Sequence, residues 1–109
     1  MANPVRFDGR VAVVTGAGGG LGREYALLLA ARGARVVVND LGGNPLGGAA
    51  SRDRAEAVAE EIRKAGGEAL ADGADVASSD AGRALIERAL SRWGRVDALI
   101  NNAGVVGGA

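Results

Sequence analysis

A chain of 109 residues holds one domain at most, or part of a larger one. Its 13 Lys and Arg balance 13 Asp and Glu, so no net field draws it to nucleic acid or to an anionic membrane. It has no cysteine and no histidine, which excludes a disulfide scaffold, a thiolate or imidazole metal site and His-based catalysis. The segment Met1–Asp8 lacks the apolar run of a signal peptide. No stretch approaches the ~20 apolar residues that span a bilayer, so the expected setting is soluble and cytoplasmic. Glycine is the outlier: 19 residues, clustered at 16–22, 42–48 and 104–108 without the three-residue period of collagen.

In chain order, Arg10–Thr15 is a short β-branched run opened by Asp8-Gly9 and closed by Gly16. It predicts a strand buried on both faces, as parallel strands are. After the glycine run, Leu21, Tyr25, Leu28 and Leu29 recur at helical spacing as far as Arg32, with Gly33 as the stop. Ala34–Asn39 predicts a second buried strand, and 42–51 a longer Gly-rich loop. Ala55, Val58, Ala59, Ile62 and Ala65 form the stripe of a second helix that ends at Gly66-Gly67. Glu68–Ala71 predicts a third, weaker strand. Asp80 is positioned to cap a third helix with the face Ala84, Leu85, Ala89, Leu90 and Trp93, stopped by Gly94. Val96–Ile100 predicts the fourth strand, followed by a loop from Asn101. Trp93 is expected in the core, and Arg83, Glu87, Arg88 and Arg92 on a solvated face.

Strands alternating with helices at this spacing predict βαβ units on a parallel sheet. Right-handed crossovers give a Rossmann-type doubly wound α/β sheet, of strand order 3-2-1-4. Ligands of such sheets sit at the carboxyl ends of the strands, where the winding reverses. Two glycine clusters fall there.

The first cluster is Thr15-Gly16-Ala17-Gly18-Gly19-Gly20-Leu21-Gly22. Gly16 permits a tight turn, the glycines up to Gly20 admit a pyrophosphate, and Gly22 lets the helix pack close to the sheet. The first helix amides, at Gly20, Leu21 and Gly22, supply donors and a positive dipole. A phosphate-binding P-loop is excluded because Arg23-Glu24 follows Gly22 where Lys-Ser/Thr is required. Asp40 closes the second strand, 18 residues beyond Gly22. A carboxylate there accepts hydrogen bonds from the adenosine ribose hydroxyls and repels a 2′-phosphate. No basic residue lies within 17–19 and Leu41-Gly42 follows Asp40, so NAD is favoured over NADP.

The spacing T-G-x-x-x-G-x-G resembles the signature of the short-chain dehydrogenase/reductase family. A second signature of that family, N-N-A-G, stands at Asn101-Asn102-Ala103-Gly104 after the fourth strand. The resemblance implies that Asp75 and Val76 contact the adenine. It also implies that Asn102, Ala103 and Gly104 pass beside the nicotinamide-side ribose, and that Asn101 braces the sheet. Val36–Gly43 and the loop after it resemble the (3R)-hydroxyacyl-CoA dehydrogenase units of peroxisomal multifunctional enzymes of type 2 and their bacterial relatives. The implied substrate is a small alcohol or ketone.

The family's catalytic Ser, Tyr and Lys lie downstream of N-N-A-G. Here the single Tyr and Lys are Tyr25 and Lys64, and no Ser follows Ser91. Residues 1–109 are therefore expected to be the cofactor-binding portion alone, catalytically inactive and poorly soluble by itself. Full-length members of the family form dimers or tetramers, and the same is expected here. Two other readings stay open: a non-catalytic NAD-sensing module, and a methyltransferase built on a related sheet.

Overall fold

The computed structural model describes residues 5–40, 50–73 and 79–102. The elements run β1 (Val11–Thr15), α1 (Gly20–Ala31), β2 (Arg35–Asn39), α2 (Ala50–Lys64), β3 (Glu68–Asp72), α3 (Ser79–Trp93) and β4 (Ala98–Asn101). All strands pair in parallel in the order β3-β2-β1-β4. This is the predicted doubly wound, Rossmann-like sheet. The register sets Val13 beside Val37 and Leu99, so the carboxyl ends of β1, β2 and β4 come together.

Alternation along the strands separates two cores. Val14, Val36, Val38, Ala69 and Ala71 face Ala26 of α1 and Ala55, Val58, Ala59 and Ile62 of α2. Val11, Val13 and Val37 face Leu85 and Ala89 of α3. Every residue of β1 is buried, which is why its sequence is apolar without a polar face.

Several boundaries and faces differ from the sequence reading, each for a tertiary reason. The buried face of α1 is Gly22 and Ala26, while Leu21 and Leu28 are 59% and 52% exposed. The helix lies close to the sheet with small side chains directly beneath it; of the predicted stripe, Tyr25 and Leu29 are half-buried against the core while Leu21 and Leu28 turn outward. On α3, Leu85 and Ala89 are buried but Ala84 and Leu90 are exposed. Trp93 packs against the edge of this core and its indole Nε1 donates to Glu68 Oε2 at 3.2 Å. Arg88 is exposed on its face as expected, yet it also reaches the end of β3. Its Nη1 donates to Asp72 Oδ2 at 2.9 Å and to the Ala71 carbonyl at 3.1 Å. Asp80 lies within the first turn of α3 rather than at its cap, where a carboxylate complements the helix dipole. Ala65 falls one residue past α2 and is exposed. The expected Gly-rich loop lies outside the described residues up to 49, and α2 has already begun at Ala50.

β4 opens at Ala98, two residues later than expected, because Asp97 holds its entry by both backbone and side chain. The Asp97 amide donates to the Val11 carbonyl at 2.8 Å, and Val11 N–H donates to Asp97 Oδ2 at 2.7 Å. Arg95 grips the same carboxylate from Nε and Nη2 at 2.8 and 2.6 Å. These hydrogen bonds, Arg95 first and the Val11 amide second, hold the Asp97 carboxyl below the ordinary carboxylate range. Among the described residues no helix is long and apolar enough to cross a membrane.

Candidate cofactor-binding site

The turn after β1 needs glycine for two separate reasons. Gly16 and Gly20 adopt φ of 63° and 56°, a region that disfavours side chains. Gly22 is constrained by space instead: an added Cβ would run into the Gly16 carbonyl oxygen and stand 2.7 Å from Asn102 Nδ2. The result is a helix that starts directly at the turn. Its preceding residue Gly19 is extended, and no side chain caps the first amides. Such an N-terminus presents donors and partial positive charge.

The loop after β4 is tied to that turn. The Thr15 hydroxyl accepts from the Asn102 amide at 3.0 Å and donates to Asn101 Oδ1 at 3.1 Å. Asn102 Nδ2 donates to the Gly16 carbonyl at 3.2 Å. The first motif and the two asparagines of the second thus form one hydrogen-bonded unit. Thr15, 3% exposed, is its hub, and Asn101 braces the end of β4.

Asp40 leaves β2 toward the same turn. Ala17 N–H donates to the Asn39 carbonyl at 2.8 Å, and Gly18 N–H donates to Asp40 Oδ2 at 2.7 Å. Asp40 is 7% exposed. A Cβ at Gly18 would stand 2.6 Å from this carboxylate, so the missing side chain is what lets the carboxylate reach the turn. Behind it, Asn39 Nδ2 donates to Asp72 Oδ1 at 3.0 Å. Asp72 therefore joins β2, β3 and α3 through Asn39 and Arg88.

Of the residues expected to form the site, Gly16, Gly20, Leu21, Gly22, Asp40 and Asn102 lie on the turn, the helix start and the strand ends beside it. Asp75, Val76, Ala103 and Gly104 lie outside the described residues. Two contributors were not foreseen. Thr15 carried a signal in its motif position but was given no role. Arg54, on α2, brings its Nε to 3.9 Å from Asp40 Oδ1, across fourteen residues that give no local sign of the pairing. Arg23 is drawn away from the turn by Glu61 of α2, with Nη2 to Oε2 at 2.5 Å and Nε to Oε1 at 3.1 Å. That contact raises the Arg23 pKa, the hydrogen bond to Glu61 being the main cause.

A parallel sheet with an uncapped helix start, a side-chain-free turn and a carboxylate at the next strand end is the arrangement at which doubly wound α/β proteins hold nucleotides, and it places this fold in that class. The sequence matches the short chain dehydrogenase family over residues 10–109, and the chain belongs to that family. It is 62% identical over 102 residues to peroxisomal multifunctional enzyme type 2 of Drosophila melanogaster, covering 94% of this chain and 17% of that protein. The crystal structure of a short chain dehydrogenase from Mycobacterium avium superposes with a TM-score of 0.80 at 53% identity, over 91% of this chain and 36% of that one. A 7α-hydroxysteroid dehydrogenase solved with NADH and 7-oxo glycochenodeoxycholic acid gives a TM-score of 0.76 at 40% identity, over 86% of this chain and 33% of that one. The chain thus spans about a third or less of the length of these relatives.

Proposed function

We propose that residues 1–109 form the NAD-binding portion of a dehydrogenase that oxidises a secondary alcohol to a ketone. The observation that carries the proposal is the Asp40 carboxylate held at 2.7 Å from the Gly18 amide, beside a helix start with no side-chain cap. Asp40 would accept from the adenosine ribose hydroxyls, and the amides of Gly20, Leu21 and Gly22 would face the pyrophosphate. Gly16 shapes the turn. Asn102, Ala103 and Gly104 would line the nicotinamide-side ribose, and Asp75 and Val76 the adenine. The fit rests on the bare backbone of the turn, since a side chain at Gly18 would run into the Asp40 carboxylate and one at Gly22 into the Gly16 carbonyl and Asn102. Held there, the cofactor would supply the hydride acceptor for oxidation of a carbinol carbon, with the hydroxyl proton passing by way of the family's proton-transfer residues to solvent.

The NADH complex of the related 7α-hydroxysteroid dehydrogenase supports the cofactor. The kinship to a peroxisomal multifunctional enzyme supports a 3-hydroxyacyl-CoA as substrate. The Ser, Tyr and Lys that the family uses for proton transfer are not among residues 1–109, so this piece alone is proposed to be inactive. The intact protein is proposed to form a dimer or tetramer in the cytoplasm, with the peroxisome as the competing outcome of a fractionation.

The test combines binding and turnover on the intact protein. NADH should bind in a fluorescence titration, and a (3R)-hydroxyacyl-CoA should reduce NAD. Turnover of simple polyols with no response to 3-hydroxyacyl-CoA would overturn the substrate class. NADH binding without turnover of any alcohol would make the protein a redox-sensing module.

A further inference from the structure

Arg54 rises from the first turns of α2 and lies over the glycine turn. A Cβ added at Gly19 would stand 2.6 Å from Arg54 Nη2 and 3.8 Å from Cζ, and one at Gly18 would stand 2.9 Å from Arg54 Cβ. The Arg54 side chain is 48% exposed and that of Asp40 10%, so the guanidinium is the solvent-side cover of the carboxylate. Two opposite charges therefore share the place where the adenosine ribose is proposed to rest. No basic residue stands within 17–19, but Arg54 brings one to the turn from α2.

A phosphate on the ribose 2′ position carries about −1.5 to −2 charge at neutral pH and offers several acceptor oxygens. A carboxylate repels it. A guanidinium suits it, because its planar fork matches phosphate oxygens. With the pair intact the formal charge of Asp40 and Arg54 together is zero. Without Arg54 it is negative, and without the Asp40 charge it is positive. Gly18 and Gly19 place no side chain between the guanidinium and the turn.

We infer that Arg54 is a second, opposing determinant of cofactor choice, which tempers the rejection of a 2′-phosphate so that NADP(H) is a weaker second cofactor. The inference rests on the proposal that this site holds a nicotinamide dinucleotide. Asp40 sets the preference for the unphosphorylated form and Arg54 limits its extent.

The test is the ratio of Kd for NADPH to Kd for NADH, measured by fluorescence titration of the intact protein at low ionic strength. A general structural effect moves both constants together and leaves the ratio alone. Arg54→Ala should raise the ratio about tenfold, the order of one charge-assisted hydrogen bond. Asp40→Ser should bring the ratio to one or below, and adding Arg54→Ala to that variant should abolish the gain. An unchanged ratio in Arg54→Ala overturns the inference while leaving NAD binding intact, and that single variant decides if Asp40→Ser does not fold. Wild-type protein that binds neither dinucleotide overturns the cofactor proposal, and the inference with it.

Discussion

Gly22 illustrates how much one missing side chain decides. Its Cβ position is blocked by the Gly16 carbonyl and by Asn102 Nδ2, which is the atom that joins the loop after β4 to the turn after β1. Gly22→Ala should destabilise the fold by about 1–3 kcal/mol, the usual range for overpacking, and weaken NADH binding by displacing the turn. Denaturant unfolding and a titration check both; an alanine variant of wild-type stability would show that the approach is not tight. At Asp97 the folded-state pKa is lowered by Arg95 and the Val11 amide, so its charge stabilises the fold above the ordinary carboxylate range. That contribution is lost as pH falls through the folded value. Asp97→Asn keeps an acceptor for Val11 but removes the charge. Its Tm should lie below wild type at pH 7, and the gap should close below about pH 3.9. A gap independent of pH would exclude the electrostatic origin. The Gly22 restriction was legible from its motif spacing. The gripping of Asp97 was not, because it depends on Val11, far away in sequence and adjacent only through strand pairing.

Among elements, the strands were the most legible and the helix faces the least. β-branched runs bounded by glycine marked β1 and β2 within a residue, since burial on both faces leaves no alternation to misread. Half of the α1 stripe, Tyr25 and Leu29, packs against the core as expected; the other half does not, because hydrophobic spacing says which residues are apolar, not how near the helix lies to the sheet. Close approach favours Gly22 and Ala26 and turns Leu21 and Leu28 outward. On α3 the energetic centre is Leu85, 2% exposed against Val11, Val13 and Val37. Leu85→Ala should cost about 2–5 kcal/mol by transfer and cavity terms, read as a lower unfolding midpoint with unchanged slope. Leu90→Ala, at 44% exposure, should cost far less. Equal losses at the two positions would contradict the observed face. Arg88 looked like one of several solvated arginines. Only the placement of α3 beside β3 brings it to Asp72.

At the scale of the molecule, β4 is an edge of the sheet among the described residues, and Leu99 on it is 55% exposed. An exposed apolar edge templates pairing with other chains. The 109-residue chain expressed by itself should therefore self-associate in sedimentation, and Leu99→Lys should reduce that association. A monodisperse monomer of the unmutated chain would refute this. The sequence by itself determined the alternation of strands and helices, the parallel sheet and the glycine-bearing turn after β1, because these follow from local periodicity, β-branching and backbone demands. Tertiary structure alone decided that Thr15 joins the two motifs, that Asp40 meets Gly18, and that Arg54 stands over both. Those contacts link elements remote in sequence, and their distances are set by sheet register and helix packing.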